Sequence, residues 1–94
     1  MPYAAVINVD NSGEDPEEGR KGLRDELAPA MKQLPGFVSA LFMTDYERGR
    51  GVAVVVFNTA DQASTLTGGL SVGSTIRAGV TIVTTEVLEV SATA

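Results

Sequence analysis

Three side chains on which much enzyme chemistry depends are missing: the 94 residues include no cysteine, no histidine and no tryptophan. Without cysteine the chain can form no disulfide, no thiolate nucleophile and no cysteine-bound metal site. Without histidine it can assemble neither a Ser-His-Asp triad nor a Cys-His pair, which excludes hydrolysis by those two routes. The acidic residues show no calcium-loop spacing either. We therefore predict neither a metal nor a cofactor.

Positive charge is also scarce, with seven Lys and Arg against twelve Asp and Glu, for a net charge of -5. Binding to nucleic acid or to an anionic membrane surface needs clustered basic residues, so both are excluded as partners. No apolar run approaches the about 20 residues of a membrane span, and the start combines no basic residues with an apolar run. A cytoplasmic protein is the resulting expectation.

A chain of 94 residues is expected to form a single domain, residues 1–94. At this size only about two-thirds of the surface of the unfolded chain is buried on folding, so oligomerisation would help to stabilise it.

What the sequence does contain is a long apolar stretch, residues 37–57, divided by a polar turn at residues 45–51. The two arms predict a β-hairpin. Both are apolar at nearly every position rather than at alternate ones, which is typical of strands that are covered on both faces. Because helices in so small a chain can cover only one face, the hairpin predicts a homodimer that forms through the sheet.

The first half of the chain predicts a strand followed by a helix. Residues 3–9 are apolar except at Asn8, which indicates a central strand. Asp15 is suited to be the N-cap of a helix that continues at helical spacing to Leu34. Pro29 falls inside this helix and predicts a kink near residue 28.

The second half predicts the remaining elements. A cap signature at residues 59–62 begins a short helix that ends at Gly68, residues 69–79 are expected to be a flexible or only partly ordered connection, and residues 80–90 form the last strand. The order β-α-β-β-α-β with right-handed crossovers predicts an α+β, ferredoxin-like sandwich whose antiparallel sheet has the strand order 4-1-3-2. Strand two would then be an apolar edge that a second subunit covers.

The junction LPGFVSA at residues 34–40, followed by the hairpin and a strand that runs into the second helix, resembles the antibiotic biosynthesis monooxygenase-like (ABM-like) family of dimeric α+β barrels. The resemblance extends over nearly the whole chain. It implies two ferredoxin-like sandwiches packed sheet against sheet, with an apolar pocket between the sheet and the helices of each subunit. A small apolar or aromatic ligand would occupy that pocket.

The resemblance also implies candidate site residues. In the heme-degrading branch an Asn late in the first strand, a Trp at the end of the third strand and a His on the second helix form the site. Asn8 matches the first, Phe57 stands at the position of the Trp, and the chain has no histidine, which argues against heme degradation. Cofactor-independent oxygenases of the family act on polyphenolic substrates, and their polar pocket residues would correspond here to Asn8, Tyr46 or Arg77.

Each candidate has an alternative interpretation. Asn8 could form a hydrogen bond to a bound carbonyl or phenol, or it could cap backbone groups where the strand ends. Arg77 could meet an anionic ligand group or form a surface ion pair, and Tyr46 could be a general acid or only part of a polar turn.

Two functional hypotheses follow, and no catalytic residue is assigned for either. The chain is a cofactor-independent monooxygenase-like enzyme acting on a small aromatic substrate, or it is a non-catalytic dimer that binds a small ligand or a protein partner. The first needs a buried base, and the sequence offers no convincing one.

Overall fold

The computed structural model describes residues 1–94 as a five-stranded antiparallel sheet with two helices packed on one face. The strands are β1 (Tyr3–Asp10), β2 (Phe37–Asp45), β3 (Arg50–Phe57), β4 (Thr75–Arg77) and β5 (Val80–Glu89). Their order across the sheet is β2-β3-β1-β5-β4. The predicted α+β class and antiparallel sheet are confirmed. The four long strands are neighbours as predicted for strands two, three, one and four, an order that is compatible with a ferredoxin-like sandwich.

The short strand β4 corrects one expectation, because it lies within residues 69–79, which were predicted to be a flexible connection. The chain reverses between β4 and β5 through a turn in which Gly79 has a φ of 81°. Only glycine adopts this conformation without strain, so the turn positions β4 against β5. The amide of Ile82 donates to the carbonyl of Ser74 at 2.9 Å, which extends the pairing beyond the turn.

The first helix has three consecutive segments: α-helical Pro16–Gly22, π-helical Leu23–Leu27 and α-helical Ala28–Lys32. As predicted, Asp15 is its N-cap, and its Oδ2 accepts a hydrogen bond from the amide of Glu18 at 3.0 Å. A π-helical turn stands where the sequence predicted a kink. Pro29 has no amide hydrogen, and its ring crowds the carbonyl four residues earlier. The wider π turn directly before it accommodates both problems without ending the helix.

The second helix (Ala60–Gly68) begins with the predicted capping box. The Oγ1 of Thr59 accepts from the amide of Gln62, and the Oε1 of Gln62 accepts from the amide of Thr59, each at 3.2 Å. Two amides that the helix itself leaves without partners are thereby satisfied.

The core lies between the sheet and the helices, where Ala5, Val55, Phe57 and Ala63 are fully buried. Neither helix combines the length and the apolar composition that a membrane-spanning segment requires.

The opposite face of the sheet has no helix against it, and we call it the open sheet face. Its apolar members come from four strands: Ala4, Val6, Leu41, Met43, Val52, Val54, Val56 and Leu88. Leu41 is 64% exposed and Leu88 is 50% exposed. The hairpin that the sequence predicted to be covered on both faces is therefore covered on one face within a single chain.

Candidate functional site

A cavity of about 230 Å³ lies between the helix-covered face of the sheet and the helices. Fourteen of its nineteen lining residues are hydrophobic. The strands contribute Ile7, Val9, Phe42, Ala53, Val55, Ile76 and Val80, and the helical side contributes Leu23, Leu27, Met31, Leu66 and Leu70. The remaining two, Met43 and Val52, are members of the open sheet face that also border the cavity. A cavity of about 150 Å³ with such a lining accepts benzene, so this one has room for a somewhat larger apolar molecule.

The polar lining residues are few. They are Asn11, Glu14, Thr44 and Arg77, and the backbone of Gly51 also borders the cavity. Glu14 and Arg77 form an ion pair, with 3.0 Å between Oε2 and Nε. The Glu14 side chain is only 8% exposed and that of Arg77 31% exposed. A carboxylate so deeply buried requires a charge partner, and Arg77 supplies it.

Two glycines on the first helix make room for this ion pair. A Cβ atom on Gly22 would collide with the guanidinium group of Arg77, and one on Gly19 would collide with the carboxylate of Glu14 and the hydroxyl of Tyr46. Gly19 and Gly22 are three residues apart, so they lie on the same side of the helix. Their absent side chains allow the polar groups to lie directly against the helix backbone.

Tyr46, at the hairpin turn, lies on the outer side of Glu14. Its hydroxyl is 3.5 Å from Oε1 of Glu14, and its ring centre is 5.1 Å from the guanidinium carbon of Arg20. Burial raises the pKa of Tyr46, and the negative charge of Glu14 raises it further. The phenol is therefore neutral at physiological pH and can donate a hydrogen bond to the carboxylate.

Asn11 directly follows β1 and is 2% exposed. Its Nδ2 donates to the backbone carbonyl of Arg50 at 3.1 Å, but its Oδ1 is buried without a hydrogen-bond partner. The carbonyl of Arg50 can only accept, so this contact identifies which end of the amide is the nitrogen. A buried acceptor without a partner costs about 1–3 kcal/mol, and such a group calls for an explanation.

The structure brings two of the four predicted site residues together. Arg77 lines the cavity, and Tyr46 contacts the Glu14 carboxylate that pairs with it. Asn8 lies on the open sheet face, where Nη2 of Arg50 is 3.5 Å from its Oδ1. Phe57 is 1% exposed and belongs to the core. It also lines a second pocket, which lies between the sheet and the second helix.

Asn11 and Glu14 are the residues that the sequence did not single out as ligand-binding candidates. Glu14 stands beside Asp15, Glu17 and Glu18 at the start of the first helix, where acidic residues are common because they interact favourably with the helix dipole. The pair Gly19 and Gly22 was a usable signal, because two glycines three residues apart within a helix indicate a close approach of other groups. No three acidic side chains come together in an arrangement that could hold a metal ion.

Comparisons with protein-family models, with curated proteins and with solved structures find no match to this chain. The functional interpretation therefore follows from the cavity, its polar end and the open sheet face.

Proposed function

We propose that the protein is a homodimer that binds one small apolar molecule in the cavity of each subunit. The single observation that carries this proposal is the apolar cavity of about 230 Å³ between the sheet and the helices. Natural cores are filled by side chains, and cavities much larger than a water molecule are few. An apolar cavity bordered by a small number of polar groups is typical of a small-molecule site.

The open sheet face supports the dimer. Leu41, Val54 and Val6 lie side by side in register across β2, β3 and β1. On β5 this row ends with the exposed Glu86, and Leu88 lies one row away, opposite Ala4. Water would contact the apolar side chains of this face in a monomer, whereas monomeric proteins seldom expose large apolar patches. A second copy of the chain is the occupant we propose, packed sheet against sheet. This is also the arrangement that the resemblance to ABM-like dimeric α+β barrels implies.

Native mass spectrometry of the protein purified from its own host tests both parts together. We expect a mass of twice the 9.8 kDa chain, plus a defined small-molecule mass for each subunit. A dimer without any retained mass would require the binding experiment below, and a monomer would contradict the dimer.

Binding is tested by titration with naphthalene, an apolar probe that a cavity of this size can admit. Ala53 lines the cavity, so Ala53→Phe should fill it and reduce binding at least tenfold. Ala30→Phe is the matched control, because Ala30 is exposed on the first helix and lies outside the cavity lining. Equal binding to both variants, or no binding to the wild type, would contradict a ligand site in this cavity.

A cofactor-independent monooxygenase-like activity on a small aromatic substrate is the second candidate. The observation that favours it is Glu14, a carboxylate on the cavity wall that could take a proton from a bound substrate. Oxygen consumption with polyphenolic substrates tests this, with Glu14→Gln as the variant that removes the base. If the wild type binds these substrates and consumes no oxygen, the non-catalytic function remains.

A further inference from the structure

The cavity has a neighbour on its helical side, because the second pocket that Phe57 lines adjoins it. We propose that the two spaces form one site, and that its ligand is an amphipathic molecule with an unbranched aliphatic chain that extends from the second pocket into the cavity. This inference rests on the proposed binding of a small molecule in the cavity, and it names the class of that molecule.

Two leucines separate the two spaces. Leu66 and Leu70 line both the cavity and the second pocket, and no other residue lines both. They are four residues apart where the second helix ends, and the amide of Leu70 donates to the carbonyl of Thr67 at 3.0 Å. This spacing places both side chains on the same side of the helical turn. The partition between the two spaces is therefore a single layer of side chains.

The partition can move, because unfilled space borders it on both sides. In a close-packed core the surrounding atoms hold each side chain in one rotamer. Leu66 and Leu70 are half-buried, with the cavity on one side and the second pocket on the other, so they lack part of these contacts. Rotation of a leucine side chain to another staggered position would open a passage about as wide as that side chain. Such a passage admits a methylene chain more readily than a fused ring system.

The surroundings of the second pocket determine which end of the ligand lies there. Pro35, Thr65 and Gly69 line it and are exposed, so it opens to solvent on their side. No charged residue lines this pocket, which therefore offers no ion pair to a head group. A polar head group at this opening keeps its contact with water, whereas in the apolar cavity it would be buried at a cost. The chain, which has no such cost, passes Leu66 and ends in the cavity.

The volume of the cavity indicates the chain length at which the second pocket becomes necessary. A cavity of about 150 Å³ holds benzene, which corresponds to about 25 Å³ for each carbon atom. On this scale the cavity of about 230 Å³ holds about nine carbon atoms of a chain. The methylenes of a longer chain remain buried only if the second pocket, of about 370 Å³, receives them.

A series of straight-chain alcohols tests this dependence on length. The probes are 1-octanol, 1-decanol and 1-dodecanol, titrated into the 94-residue chain by calorimetry. Each buried methylene should increase the affinity about fourfold. We therefore expect 1-dodecanol to bind about 10-fold more tightly than 1-decanol, whereas a closed cavity predicts that 1-dodecanol binds no more tightly.

Thr65→Phe tests whether the second pocket receives the chain, since Thr65 lines this pocket and does not line the cavity. The phenyl group should fill the pocket and remove the advantage of 1-dodecanol over 1-decanol. Ser64→Phe is the matched control, because Ser64 is exposed on the same helix and lines neither space. This variant should keep the advantage.

If Thr65→Phe does not fold, nuclear Overhauser contacts in the wild type decide. Leu34 lines the second pocket and does not line the cavity. Its methyl protons should therefore show contacts to the methylene protons of bound 1-dodecanol and none to bound naphthalene.

The outcomes separate this inference from the function on which it rests. If naphthalene binds and 1-dodecanol has no advantage over 1-decanol, the cavity binds ligands but the chain does not extend beyond it. An advantage that Thr65→Phe retains, or the absence of contacts between Leu34 and 1-dodecanol, would likewise overturn the continuous site. If neither naphthalene nor any of the alcohols binds, the proposed binding function itself fails.

Discussion

Replacing Leu41 by Asp should convert the proposed dimer into a folded monomer. Leu41 is 64% exposed in the single chain, on the open sheet face beside Val54. The substitution creates no cavity in the monomer and leaves its helix-covered core unchanged. Circular dichroism of Leu41→Asp should therefore match that of the wild type.

The magnitude follows from the area that dimer formation would cover. Complete burial of a leucine contributes about 1.5–3 kcal/mol, so covering the exposed part of Leu41 contributes about 1–2 kcal/mol in each subunit. A twofold symmetric interface contains this residue twice, so the variant loses about 2–4 kcal/mol per dimer. The dimer dissociation constant should increase about 30-fold to 1,000-fold, and the two buried carboxylates would increase it further.

Sedimentation velocity over a dilution series measures this change as a shift of the mean mass toward the 9.8 kDa chain. Val72→Asp is the matched control, since Val72 is 67% exposed but lies in the connection before β4, away from the open sheet face. It should leave the dissociation constant unchanged. If Leu41→Asp dimerises as tightly as Val72→Asp, or if the wild type is a monomer throughout the series, the argument from the open sheet face is refuted.

Three further predictions concern the fold around the site. Thr59→Ala removes the capping box of the second helix and should lower the free energy of unfolding in urea by about 0.5–2 kcal/mol; no change would show that solvent satisfies these amides equally well. Gly79→Ala should lower the free energy of unfolding by more than Gly73→Ala does. Both glycines have positive φ, but only a Cβ on Gly79 would meet the backbone of Gly13. Equal losses of free energy would mean that the contact with Gly13 is easily relieved. Because the pKa of Tyr46 is raised, its neutral form contributes stability that is fully present below about pH 10 and is lost as the pH rises through the folded pKa. Denaturation at several alkaline pH values should therefore show a steeper loss for the wild type than for Tyr46→Phe, and identical slopes would contradict the assignment.

Local signals in the sequence were sufficient for most of the secondary structure. The caps at Asp15 and Thr59 need only a side-chain oxygen near the first free amides of a helix, so neighbouring residues determine them. The hairpin follows from two apolar runs around a polar turn. The order of the long strands follows from the β-α-β-β-α-β sequence and the preferred handedness of crossovers. β4 was not predicted, because three residues carry too weak a pattern to indicate a strand without the β5 strand that pairs with it.

The site depended on information that lies outside any local pattern. Because β1 is apolar on both faces, alternation could not show which face the helices would cover, and Asn8 was chosen as the candidate. Packing of the helices against Ile7 and Val9 decided the face, which placed Asn8 on the open sheet face and Asn11 at the cavity.

The amino-acid sequence by itself determined the helices, the long strands and their order, because these depend on residue type, periodicity and chain connectivity. It also determined that the sheet is apolar on both faces, although the helices of one chain can cover only one face. Only the tertiary structure brought Glu14, Tyr46 and Arg77 together, since they come from three separate parts of the chain. The cavity likewise exists only where strands and helices fail to fill the space between them. Such a packing deficit is a property of the assembled layers and of no single segment.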